Sequence, residues 1–61
     1  MLNNFSKLRK EKKMSMYAVA KKTGITYKVI IGIEKGADLR VSTAYKIAVA
    51  LNVSIKDLFI D

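Results

Sequence analysis

Lysine and arginine are the residues of this sequence with most chemistry to offer. Twelve of 61 positions carry one, against five aspartates and glutamates, for a net charge of +7. Cationic side chains at this density neutralise and hydrogen-bond anionic oxygens. The indicated chemistry is recognition of a polyanion, either nucleic acid or a membrane surface, and the bland alternative is solubility alone. Covalent chemistry is poorly provided for. With no cysteine and no histidine, disulfides, zinc sites and imidazole catalysis are excluded. No nucleophile–base pair, metal-ligand cluster or phosphate-cradling glycine loop is present. An enzyme is therefore the least favoured class, and no cofactor, metal or small-molecule ligand is expected.

The elements that hold these cations must be few. A chain of this length makes one small domain, expected here over residues 1–61, which buries only about 60% of its unfolded surface. Its hydrophobic fraction of 51% suits a globular fold and is too high for a disordered one. No apolar run approaches the roughly 18 residues of a membrane span, and "MLNNFSKLRK" lacks the apolar stretch of a secretory signal. A cytoplasmic protein without a membrane partner is expected. No proline, repeat or low-complexity tract interrupts the chain, so the connections should be short.

Apolar spacing then predicts five short helices and no sheet. In "NNFSKLRKEKKM", Phe5 and Leu8 lie three apart among lysines, with an asparagine cap at Asn3 or Asn4. "SMYAVAKKTG" opens on a capping serine, Ser15, keeps Met16, Val19 and Ala20 on one face, and reaches Gly24 where a left-handed C-cap is wanted. "VSTAYKIAVALN" has Val41, Ala44, Ile47, Ala48 and Leu51 along one face and ends at Asn52. "SIKDLFID" opens on Ser54 with Asp57 at the third helical position, a capping-box arrangement.

The segment "ITYKVIIGIEKG", Ile25 to Gly36, is the ambiguous one. Its β-branched residues favour a strand by local preference. No other segment alternates for long enough to pair with it. Thr26 can cap, Ile30 and Ile33 keep helical spacing, and Gly36 stands where a helix stops. Tertiary context should override propensity and give a helix from about Tyr27 to Lys35.

Two short helices separated by Gly24, over about residues 16–35, make a helix-turn-helix. Ala20 is small where the helices cross, and Val19, Ile25, Ile30 and Ile33 are apolar where the second must lock onto the first. Beyond this window, "LRKEKKMSMYAVAKKTGI…IEKG…STAYKIAVALNVSIKDLF" resembles the Cro/repressor type of helix-turn-helix, the Xre family of bacteria and phages, over roughly residues 5 to 59. The resemblance implies an all-α, lambda repressor-like DNA-binding domain, a compact bundle whose second motif helix enters the major groove of double-stranded DNA.

Carried onto this chain, the resemblance makes Thr26, Tyr27, Lys28, Ile31 and Gly32 the base-contacting positions. Lys28 can donate to guanine O6 and N7, and Tyr27 can meet sugar, phosphate or a thymine methyl. Phosphate contacts fall on Ser15, Met16 and Tyr17 at the start of the first motif helix, and on Lys35 and Arg40 around the following loop; Lys10, Lys12, Lys13, Lys21 and Lys22 line the approach. Arg9 and Glu34 occupy positions that pair in the family, tying the first helix to the third. Phe59 and Ile60 stand where a homodimer seam is expected.

Some positions depart from the family pattern. Met16 replaces a phosphate-binding glutamine, leaving backbone N–H groups after Ser15 for that task. Val29 and Ile31 stand where polar residues are common, and Gly32 leaves a contact position empty, at a helix cost of roughly 1 kcal/mol. Apolar contact with thymine methyls, close backbone approach at Gly32, and a protein-binding surface all remain open for this face. The expected function is sequence-specific transcriptional repression at an inverted-repeat operator. The rivals are a protein-interaction module of antitoxin or antirepressor type using helix 3, and a basic amphipathic membrane binder.

Overall fold

Residues 3–59 are described by a computed structural model, in which α1 (Phe5–Glu11), α2 (Met16–Thr23), α3 (Tyr27–Glu34) and α4 (Val41–Leu51) are followed by a 3-10 turn at Ile55–Leu58. The fifth expected helix is thus a single 3-10 turn. The Asp57 carboxylate accepts from the Ser54 N–H at 3.2 Å, as the capping-box pattern requires, and the turn stops where Phe59 becomes extended. The described residues contain no strand, only an isolated antiparallel bridge between Asn3 and Phe59.

The ambiguous segment is helical. Ile30 and Ile33 are buried beside Val19 and Ala20 of α2, which a strand could not achieve without an edge to pair with. Six side chains are essentially inaccessible: Phe5, Val19, Ile30, Ile47, Leu51 and Leu58. They come from all five elements, so no helix can leave without opening the same core. Each contributes roughly 1.5–3 kcal/mol by burial, and no polar or charged residue is buried with them among the described residues.

Three local expectations need correction. Of the two asparagines, Asn4 does not cap α1 with its side chain, whereas Asn3 accepts from the first N–H of the helix, and both also help close the fold. Asn4 stands at the cap position without a side-chain cap bond; its backbone N–H donates to the Leu58 carbonyl at 2.9 Å and its side chain donates to the Asp57 carbonyl at 3.0 Å. Asn3 Oδ1 accepts from the Phe5 N–H at 2.9 Å while its amide donates to the Ile33 carbonyl at 3.2 Å. Thr26 occupies the α3 cap position, yet only its backbone carbonyl is engaged, by the N–H groups of Val29 and Ile30.

Val41 is the third correction. It is 70% exposed, whereas Ala44, Ile47, Ala48 and Leu51 are buried as expected, together with Ala50. With Tyr45 and Val49, each four residues on and also exposed, Val41 belongs to the next row around the helix, outside the arc that α2 and the 3-10 turn cover.

Candidate functional site

The relation of α2 to α3 is set by a four-residue stretch. Gly24 adopts φ 77° and its N–H donates to the Ala20 carbonyl at 2.9 Å, ending α2 in the left-handed conformation that only glycine takes without strain. Thr23 completes the turn from both sides. Its hydroxyl donates to the Val19 carbonyl at 2.8 Å and accepts from the Ile25 N–H at 3.1 Å. The next helix begins two residues later. Ala20, 8% exposed, is small enough for close approach, and Ile30 and Ile33 pack into the space it leaves.

The N-terminal ends of α2 and α3 form one exposed surface. Ser15 Oγ accepts from the Ala18 N–H at 3.0 Å, which leaves the N–H groups of Met16 and Tyr17 without partners among the described residues. Two such groups at a helix start are a ready anion cradle. Tyr17 and Tyr27 meet edge to face, with ring centroids 6.3 Å apart, and the Lys21 ammonium lies 5.7 Å from the Tyr17 centroid. This aromatic bridge joins the outer faces of the two helices. Lys28 is exposed beside it. Ile31 and Gly32, one turn further along α3, are half-buried. A Cβ at Gly32 would lie 3.9 Å from the Ala37 side chain, so this position also faces the loop that follows α3.

Arg9 and Glu34 do pair. Arg9 Nε donates to Glu34 Oε1 at 3.1 Å and Nη2 donates to Oε2 at 2.8 Å, while Nη1 reaches the Met14 carbonyl at 2.8 Å. A single guanidinium therefore fixes the end of α3 against both α1 and the α1–α2 loop, a task that needs the planar fork of arginine. Hydrogen bonding to Arg9, with help from the Ser6 hydroxyl and against partial burial, holds the Glu34 carboxyl below its ordinary range. The same hydrogen bond raises Arg9.

Arg9–Glu34 is the one ion pair among the described residues. The other eleven lysines and arginines are exposed and form no ion pair among the described residues. Lys35 and Arg40 bracket the α3–α4 loop, and Arg40 lines a shallow groove with Val29, Gly32, Ala37, Asp38 and Thr43. Lys21 and Lys28 stand on the α2–α3 surface itself. A wider cleft of about 540 Å³ lies elsewhere, against α1 and the 3-10 turn, and carries Lys7 and Lys56 opposite Glu11 and Asp57.

Of the residues singled out from sequence, Ser15, Tyr17, Thr26, Tyr27 and Lys28 are gathered on the exposed α2–α3 surface, with Lys35 and Arg40 exposed at the loop after α3. Met16 turns its side chain to the core and offers only its backbone. Phe59 also packs against the core and is half-buried; Ile60 lies outside the described residues. Sequence reasoning missed Thr23 and the Tyr17–Tyr27 bridge. Tyr17 and Lys21 share the i, i+4 spacing of α2 and were legible as neighbours, but the approach of Tyr27 to Tyr17 depends on the crossing of two helices.

None of the helices is long and apolar enough to cross a membrane among the described residues, and these residues hold no group of histidine, cysteine, aspartate or glutamate suited to a metal ion. A family model described as helix-turn-helix matches residues 5–58, nearly the whole chain. No curated protein matches it.

Proposed function

The chain belongs to this helix-turn-helix family, and on that premise we propose that it is a sequence-specific transcriptional repressor acting on an inverted-repeat operator. α3 lies in the major groove. Thr26, Tyr27, Lys28, Ile31 and Gly32 face base edges, and phosphates on either side are held by the N–H groups at the start of α2 and by Lys35 and Arg40. Two copies, joined near Phe59 and Ile60, place their α3 helices about 34 Å apart, one DNA turn. The protein works in the cytoplasm, on the nucleoid, and needs no cofactor or catalysis.

One observation carries this reading: eleven exposed cations form no ion pair among the described residues, and of these Lys21, Lys28, Lys35 and Arg40 flank a helix-turn-helix whose second helix begins with open side chains. The rival protein-interaction role of α3 is weakened by the same structure. Ile30 and Ile33, two of the four apolar residues of "VIIGI", are committed to the core, leaving Val29 exposed and Ile31 half-exposed on the outer flank.

Fluorescence anisotropy against DNA upstream of the protein's own gene and against scrambled duplex, at low and physiological salt, tests the proposal. An operator-binding regulator holds its site at least about 10³-fold tighter than scrambled DNA at physiological salt. Equal binding that vanishes with salt leaves a generic polyanion binder at that site. Absence of binding at low salt overturns the DNA reading.

A further inference from the structure

We infer that α3 identifies its DNA chiefly by the C5-methyl groups of pyrimidines, with the Lys28 ammonium and the Thr26 hydroxyl as the side-chain groups at its start that add hydrogen bonds. This rests on the DNA-binding reading above and states what that surface selects. The chain has no glutamine, and its asparagines are Asn3, Asn4 and Asn52, all outside α2 and α3. No side-chain amide is therefore available there for bidentate recognition of adenine. The lone carboxylate of α2 and α3 is Glu34, and both its oxygens are held by Arg9. Neither helix then keeps a free carboxylate to accept from cytosine N4.

Apart from the Thr26 hydroxyl and Lys28, what remains on the outer row is largely apolar. Tyr27 is 43% exposed, and Ile31 follows four residues later on the same side of the helix, half-exposed. Gly32 adds no side chain, and Lys28 stands between them. Inside the major groove the pyrimidine C5-methyl is the apolar group for such a row to cover. Tyr17 acts as a positioning residue. Its edge-to-face contact with Tyr27 restrains the ring that would otherwise sweep freely from the start of α3, and Lys21 lies over the far ring in turn. The aromatic contact thus gives a flat apolar surface a fixed place.

The test begins with selection of a site by the intact protein from a random duplex pool. Each thymine of the selected site is then replaced in turn by deoxyuridine, and affinity is measured by anisotropy. Loss of one covered methyl should weaken binding about fourfold, at one or more positions in each half-site. The loss should disappear at one position in Tyr27→Ala, a surface change that leaves the core intact, and shrink in Tyr17→Ala but not in Tyr17→Phe. Cytosine at that position should bind weakly and 5-methylcytosine should recover part of the affinity. Replacing the contacted guanine by 7-deazaguanine should weaken the wild type and not Lys28→Ala. A selected site indifferent to uracil at every position overturns the inference while leaving DNA binding intact, as does uracil sensitivity unchanged in both Tyr27→Ala and Ile31→Ala. Failure to select any sequence overturns the DNA-binding reading itself.

Discussion

Arg9 and Glu34, twenty-five residues apart, are joined by two parallel hydrogen bonds of 3.1 and 2.8 Å, with side chains only 12% and 19% exposed. The pair closes α1 onto the last turn of α3 while the third donor of Arg9 holds the Met14 carbonyl. Its first role is geometric. It fixes the end of α3 against α1, and it engages both oxygens of the one carboxylate on α3.

Arg9→Ala should cost about 1.5–3 kcal/mol of stability, since it orphans a partly buried carboxylate and a carbonyl. Replacing both partners, as in Arg9→Met with Glu34→Leu, should cost less than the sum of the two single changes. Urea denaturation of the four proteins measures this coupling. Strict additivity would mean that the pair contributes nothing beyond its separate parts.

The same pair makes stability depend on pH in the acid range. Glu34 titrates lower in the folded protein than its ordinary value of 4.5. Its contribution is thus complete above that value, where both states are ionised, and is lost as pH falls through the lower folded value. Thermal midpoints of the wild type should decline below about pH 4.5, and Glu34→Gln should flatten that decline. A parallel decline in the variant would assign the acid sensitivity to other carboxylates.

Lys13 ends the α1 turn at φ 57°, with the Met14 N–H donating to the Arg9 carbonyl at 3.1 Å, the geometry in which glycine is preferred. A side chain there costs roughly 1–2 kcal/mol. Lys13→Gly should therefore stabilise the fold by about 0.5–1 kcal/mol, and equilibrium denaturation reads the gain. Lys13→Ala, which removes the same charge, should give no such gain.

Gly24 is the opposite case. At φ 77° a Cβ would meet nothing within 4 Å, so the penalty for Gly24→Ala is purely conformational, roughly 1–2 kcal/mol. The denaturation midpoint should fall while circular dichroism keeps the same helix content. A loss well beyond this would show that the turn also needs the space a methyl group takes.

Lys28→Ala and Lys35→Ala should separate base reading from phosphate clamping. Losing Lys28 should weaken specific binding by about 1–3 kcal/mol and relax preference at one base pair; losing Lys35 should weaken all sequences alike and reduce the salt slope by about 1. Titrations on specific and random duplex at several salt concentrations distinguish the two. Equal losses on both DNAs for Lys28→Ala would remove it from the base-reading set.

Much of this architecture is legible in single residues. The apolar spacing of Val19, Ala20, Ile30, Ile33, Ala44, Ile47, Ala48 and Leu51 marks their helices and their buried sides, because a helix exposes the same face every 3.6 residues. Gly24 and Asn52, at φ 77° and 58°, mark two helix ends by a backbone requirement that few residues meet. The pairing of Arg9 with Glu34 was legible through family resemblance, since twenty-five residues of sequence carry no local sign of contact. Val41 shows the limit: its spacing fits the apolar face of α4, but which row is covered depends on the crossing of α4 with its neighbours, and Val41 lies outside it.

By itself, the sequence determined the places of the four α-helices, the glycine turn between α2 and α3, the absence of thiol and imidazole chemistry, and the cationic excess. These follow from composition and short-range periodicity, which act within a turn or two of the chain. Tertiary structure alone decided that Asn3 and Asn4 also bond to Ile33, Asp57 and Leu58 far along the chain, that Thr23 clamps the turn, and that Tyr17 braces Tyr27. Each depends on where separate helices meet, and that is set by the shared packing of Phe5, Val19, Ile30, Ile47, Leu51 and Leu58, a property of the whole core rather than of any segment.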